Sequence, residues 1–180
     1  MTRAPSPGQT VGPFFHFALP YDGDRTLVAP GAPGAVLLHG VVYDGRGGPV
    51  PDALVEVWQA DPDGAVVQRS GSLRRDGSTF TGFGRCATDT AGRYSFSTLP
   101  PGGVDGGLPF FAIAVFARGL LHRLLTRAYL PLSPGATDPV LTTAGDRAPT
   151  LVCVGDDDGL RFDIRLQGHG ETVFLTTQGD

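Results

Sequence analysis

The sequence predicts an all-β protein, an antiparallel β-sandwich of about eight strands with long loops and an irregular N-terminal arm. Three observations carry this. Short apolar runs recur along the chain and several alternate with period two, the pattern of half-buried strands. Between them lie turn-forming stretches such as Asp44-Gly45-Arg46-Gly47-Gly48-Pro49 and Asp61-Pro62-Asp63-Gly64. The 180 residues include 27 Gly and 16 Pro, which exclude long helices, since an interior Gly costs roughly 1 kcal/mol and a Pro about 3 kcal/mol against Ala.

Taken in order, residues 1–34 form the arm. They are rich in Pro and Gly around the cluster Pro13-Phe14-Phe15-His16-Phe17. Such a segment builds no core of its own, so its aromatics are expected to pack on the sandwich or on another chain. Residues 35–180 form the sandwich domain. Its expected strands are Val36 to Tyr43, Leu54 to Ala60, Tyr94 to Leu99, Phe110 to Phe116, Leu124 to Leu130, Leu151 to Val154, Leu160 to Leu166 and Thr172 to Leu175. The clearest is Leu160 to Leu166, where Leu160, Phe162, Ile164 and Leu166 share one face and Arg161, Asp163 and Arg165 the other. Gln68 to Phe83, with its Ser, Gly, Thr and paired Arg74-Arg75, reads as a long surface loop, ordered or not.

An apolar content of 41% with 18% charged residues and a net charge of -4 fits a folded chain rather than a disordered one. The same balance argues against nucleic acid, which needs a basic face. No apolar run approaches the ~20 residues of a membrane helix, and the first residues lack the apolar centre of a signal peptide. A cytoplasmic location is expected. Cys86 and Cys153, each beside strand-like residues, are expected as buried thiols. All 14 basic residues are Arg, which excludes lysine-based Schiff-base or P-loop chemistry.

Spacing alone yields no complete active site. His16, His39, His122 and His169 form no ligand pair, the four tyrosines are scattered, and no nucleophile elbow or Cys-x-x-Cys is present. Three residues stand out. Trp58, the single tryptophan, reads as a core residue. Glu56 shares its face and needs a cation, Arg85 or Arg127. Arg118, at the end of a very apolar strand, is either a surface cation or a clamp for a carboxylate.

Several segments together carry a resemblance. Gln9-Thr10-Val11-Gly12-Pro13-Phe14, Val55-Glu56-Val57-Trp58-Gln59-Ala60-Asp61, Phe116-Ala117-Arg118-Gly119, Arg161 to Gly168 and Gly170-Glu171-Thr172-Val173-Phe174 resemble, in that order, the intradiol ring-cleavage dioxygenases. The resemblance runs from Gln9 to Phe174 and implies a β-sandwich. Catalytic members hold a non-haem ferric ion with two tyrosines and two histidines. The matching positions here are Val66, Val104, Phe110 and Ala112, none of which offers a lone pair, so the resemblance implies no metal and no catalytic ligand in this chain.

That pattern is similar to the iron-free alpha chain of a heteromeric member. It implies an iron-bearing beta subunit as partner in a higher alpha-beta oligomer, with the active site at the subunit interface. The implied reaction cleaves the aromatic ring of protocatechuate with O2 to 3-carboxy-cis,cis-muconate. The implied substrate-binding residues of this chain are Thr10, Gly12, Pro13, Phe14 and Arg118. Two other readings stay open. One is a non-catalytic sandwich module that binds a small aromatic or a protein; the other is a self-sufficient iron enzyme using Tyr94, Tyr129 and His122.

Overall fold

The computed structural model describes residues 15–70 and 73–176. In chain order they form α1 (Phe15–Ala18), β1 (Val36–Tyr43), β2 (Leu54–Trp58), β3 (Phe83–Ala87), β4 (Arg93–Thr98), a 3₁₀ turn (Val104–Gly106), β5 (Phe110–Phe116), β6 (Leu124–Tyr129), α2 (Pro139–Ala144), a 3₁₀ segment (Gly145–Leu151), β7 (Val154–Gly155), β8 (Leu160–Arg161) and β9 (Ile164–Arg165). One sheet has the order β4-β1-β8-β7, with β9 also on β1; the other has the order β3-β2-β5-β6.

Period-two alternation builds the layers. Leu38 and Val42 of β1 and Tyr94 and Phe96 of β4 face Val55 and Val57 of β2 and Phe111, Ile113 and Val115 of β5 in one core. Full burial of each large apolar side chain stabilises by about 1.5–3 kcal/mol, so this shared core holds the sheets together. Both cysteines are buried free thiols within it. Burial pushes the Cys153 thiol up to about 12.

The expected strand at Leu160 to Leu166 keeps its alternation but splits in two, and both halves run parallel to β1. Asp163 causes the break. Its Oδ1 accepts the Val41 N–H at 3.0 Å, the place a ladder carbonyl would take. The Phe162 carbonyl beside it accepts the Tyr94 hydroxyl at 2.5 Å. Gly40 makes this approach feasible, because a Cβ there would lie 2.0 Å from the Phe162 carbonyl oxygen.

Other differences are local. The stretch read as loop to Phe83 ends in a strand, β3, because Phe83–Ala87 pairs along β2. Of the candidates Leu151 to Val154 and Thr172 to Leu175, the first closes a 3₁₀ segment at Leu151, bridges Tyr129 through Val152 and enters β7 at Val154, and the second makes a single bridge, Leu125 to Leu175. α2 was not expected, yet its start is legible: Asp138 caps it by accepting the Val140 N–H at 2.7 Å, and Pro139 follows at the first turn. Arg75 orders part of the long loop, donating to the Thr81 hydroxyl and the Phe83 carbonyl. From the described part of the arm, Leu27 enters the core, and Leu27 and Val28 both donate to the Ser97 carbonyl.

Candidate functional site

The outward face of the β3-β2-β5-β6 sheet carries Trp58, Glu56, Phe110 and Ala112, with Arg118 just past the end of β5. Register places them. Trp58 lies opposite Ala112 and Phe83, and Glu56 opposite Ala114 and Arg85. On the other side, Phe110 pairs with Tyr129, and Ala112 with Arg127. Along β5 the outward residues are thus Phe110, Ala112, Ala114 and Phe116, two large side chains enclosing two small ones.

At the Trp58 end this pattern leaves an open groove of about 540 Å³, lined by Trp58, Phe110, Ala112, Leu125, Arg123, Arg127 and Leu175 among others. Trp58 is 50% exposed, which corrects the expectation of a core tryptophan. β2 turns that side chain away from the intersheet core, and it rests on Phe83 with ring centroids 4.4 Å apart. Arg127 lies over the Phe110 ring, 4.1 Å from its centroid, and its Nη1 donates to the Tyr129 hydroxyl at 3.1 Å. Glu56 has found Arg85, whose Nε and Nη2 both donate to Oε1, at 2.9 and 2.5 Å.

Phe110 and Ala112 stand in this groove. Val66 and Val104 sit on the two loops at the same end. Those loops are interlocked by backbone: Gly102 N–H donates to the Asp61 carbonyl at 2.8 Å, and a Cβ on Gly102 would lie 2.4 Å from Gly64 N. Four apolar side chains and one carboxylate already taken by Arg85 do not fit a ferric ion at this place.

Tyr94, Tyr129 and His122 do not converge either. Tyr94 is buried between the sheets, and burial raises its phenol well above the ordinary value. Tyr129 donates to Asp138 Oδ1 at 2.7 Å, and its phenol is also raised, chiefly by burial. His122 is exposed in the β5–β6 turn.

Among the described residues one group could gather metal-ligand atoms, His39, Asp156 and Asp158, within 4.8 Å of one another. It lies on the other sheet, and spacing could not reveal it because the contact closes over 117 residues. Asp156 Oδ1 already accepts the backbone N–H groups of Asp158 and Gly159. With the His39 bond as the largest cause, these hold its carboxyl below the usual value.

Arg118 occupies the opposite end of the same face. Its Nε lies 3.0 Å from Asp52 Oδ2, with the arginine side chain 64% exposed and the aspartate 15%. Asp52 went unnoticed in the sequence, where a turn aspartate is unremarkable. The turn that carries it is fixed by buried Thr88, whose hydroxyl accepts the Ala53 N–H and donates to the Val50 carbonyl. Two residues before Arg118, the Phe116 ring stacks on Phe15 at 5.7 Å and 14°. The arm therefore joins the sandwich beside Arg118. Thr10, Gly12, Pro13 and Phe14 lie outside the described residues.

The chain has relatives in sequence and in fold. The dioxygenase family model matches residues 11–107. A protocatechuate 3,4-dioxygenase alpha chain of Pseudomonas putida is 39% identical, with 94% of this chain and 95% of that one covered. A protocatechuate 3,4-dioxygenase beta chain of Burkholderia cepacia is 32% identical over 91% of this chain and 76% of its own length. Among solved structures, the dioxygenase domain of a carbohydrate-binding fusion protein from Streptomyces sp. SirexAA-E superposes with a TM-score of 0.57. That domain is 26% identical, with 92% of this chain and 99% of that one covered. Sandwich, motif order and near full-length identity coincide, and the chain belongs to the intradiol dioxygenase family.

Proposed function

We propose that this chain is the alpha-type subunit of a protocatechuate 3,4-dioxygenase. It works with an iron-bearing beta subunit in a higher alpha-beta oligomer that cleaves protocatechuate, adding both atoms of O2, to 3-carboxy-cis,cis-muconate in aromatic catabolism. The name of the alpha-chain relative, the existence of a beta-chain relative and the unsuitable donor set around Phe110 and Ala112 support this division. Non-haem iron, which serves the ring-cleavage step, belongs in this reading to the beta subunit. This chain binds and orients. The arm, residues 1–34, leads from the sandwich domain, residues 35–180, onto the partner. There Thr10, Gly12, Pro13 and Phe14 line the substrate pocket together with Arg118.

The observation that carries the reading is the Phe15–Phe116 stack, since it brings the arm and Arg118 to one edge of the sandwich. The guanidinium suits the substrate's carboxylate, and exclusion of water at a subunit interface strengthens that attraction. We place the protein in the cytoplasm, where the free thiols of Cys86 and Cys153 remain reduced; no helix among the described residues is long and apolar enough to cross a membrane. The test is Arg118→Ala in the coexpressed complex. Protocatechuate KM should rise about tenfold or more with a smaller fall in kcat and unchanged iron content. Loss of iron, or unaltered protocatechuate kinetics, would show the role to be wrong.

A further inference from the structure

We infer that Arg85 is a positioning residue for the arm. Its guanidinium ties the arm's root, residues 19–24, to the outward sheet face, and Glu56 serves to orient that guanidinium rather than to meet a ligand. The bearing of this clamp on catalysis rests on the pocket role proposed above for Thr10, Gly12, Pro13 and Phe14.

Register sets the geometry. Arg85 of β3 lies opposite Glu56 of β2, which lies opposite Ala114 of β5. β3 is an edge strand of its sheet, and the Arg85 N–H, with no strand on that side, donates to the Asp24 carbonyl at 2.9 Å. The side chain of the same residue reaches the arm a second time, where Nη1 donates to the Leu19 carbonyl at 3.0 Å. Leu19 closes α1, its N–H donating to the Phe15 carbonyl at 3.3 Å, and the Phe15 ring stacks on Phe116. Phe116 stands two residues along β5 from Ala114, so between Asp24 and Phe15 the arm passes from the β3 edge to β5.

The chemistry of the pair explains why an arginine stands there. Nε and Nη2 both donate to Glu56 Oε1, which occupies one edge of the planar fork and leaves Nη1 for another partner. The side chains are only 14% and 15% exposed, so each charge needs the other. A main-chain carbonyl is present whatever residue stands at position 19; the grip therefore fixes the path of the backbone. Arg75 adds a second hold, its Nη2 donating to the Asp24 carbonyl at 3.3 Å. Burial raises the Tyr21 phenol above its ordinary value and the charges of Arg75 and Arg85 oppose the rise, which agrees with two guanidiniums beside this stretch. A lysine at position 85 would keep a cation for Glu56 but has no fixed fork to serve both partners.

Two variants test the clamp, Arg85→Lys and the pair Arg85→Met with Glu56→Leu, which removes the guanidinium without leaving a buried charge. Backbone hydrogen exchange is followed in the full chain, and protocatechuate kinetics in the complex coexpressed with the beta subunit. In both variants residues 15–24 should exchange about tenfold faster or more, while β1 is unchanged. Protocatechuate KM should rise at least about threefold, with kcat within about twofold of the parent enzyme. Unchanged exchange in residues 15–24 would overturn the proposal. So would equal acceleration in β1, because the pair would then merely hold the fold. Faster local exchange with unaltered KM would support the clamp and overturn the pocket role of Thr10, Gly12, Pro13 and Phe14.

Discussion

The two ends of one sheet face differ in what they have kept. At the Trp58 end, the positions that the family resemblance assigns to iron ligands hold Val66, Val104, Phe110 and Ala112, while the neighbouring loops are locked through Gly64 and Gly102. At the Arg118 end, Arg118 pairs with Asp52, which stands on a turn pinned by Thr88. Backbone contacts thus hold both ends, while the four positions at the Trp58 end carry no metal donor and the Arg118 end presents an exposed guanidinium. Scaffold and site are separable: backbone contacts fix where a residue stands, and the residue alone decides whether a metal or an anion is held there.

Substitutions at the two ends should break this comparison in different ways. The largest effect is expected for Gly102→Ala, which drives a Cβ into Gly64 N and the Pro62 carbonyl, both at 2.4 Å. The loops must separate, at a cost of ~3 kcal/mol, read as a fall in Tm with the Arg118 end intact. Arg85→Ala follows. It leaves Glu56, only 15% exposed, without its cation and should destabilise by about 2–3 kcal/mol. Replacing Arg85 and Glu56 together by Met and Leu should recover most of that loss.

At the other end, Thr88→Ala removes the hydroxyl that joins Val50 to Ala53. It should cost about 1–2 kcal/mol in denaturant unfolding and disorder Asp52, so that the protocatechuate KM of the assembled enzyme rises with little change in kcat. The smallest effect concerns the neighbouring Asp89. Backbone N–H groups of Arg93, chiefly, and Ala91 hold its carboxyl below the usual value, with desolvation opposing them. A folded-state pKa lowered in this way contributes stability above about pH 4 that is lost as the pH falls through the lowered value. Asp89→Asn should therefore flatten the acid side of the stability–pH profile and leave neutral pH nearly unchanged.

Much of the layering was legible in the sequence, because alternation in Leu160 to Leu166 puts Phe162 and Ile164 on one side, and both are buried in the core. Parallel pairing of β8 and β9 with β1 was not, since it depends on Asp163 and Gly40 meeting across more than a hundred residues. β3 was hidden because Phe83–Ala87 mixes Gly, Arg and Cys. It is a strand by virtue of pairing with β2, a tertiary effect that outweighs local preference. Glu56 announced its need for a cation, and one of the two candidates, Arg85, supplies it. Trp58 misled: period two identifies two faces but not which is covered, and its neighbours Val55 and Val57 claimed the core. Asp52 and the alanine floor of the groove carried no signal until register placed them.

The most direct measurement is iron content and ring-cleaving activity of the chain purified alone and again after coexpression with an iron-bearing beta subunit. The side chains at Val66, Val104, Phe110 and Ala112 predict no stoichiometric iron and no protocatechuate cleavage for the chain alone, with both appearing in the complex. Stoichiometric iron together with protocatechuate cleavage in the isolated chain would contradict the assignment.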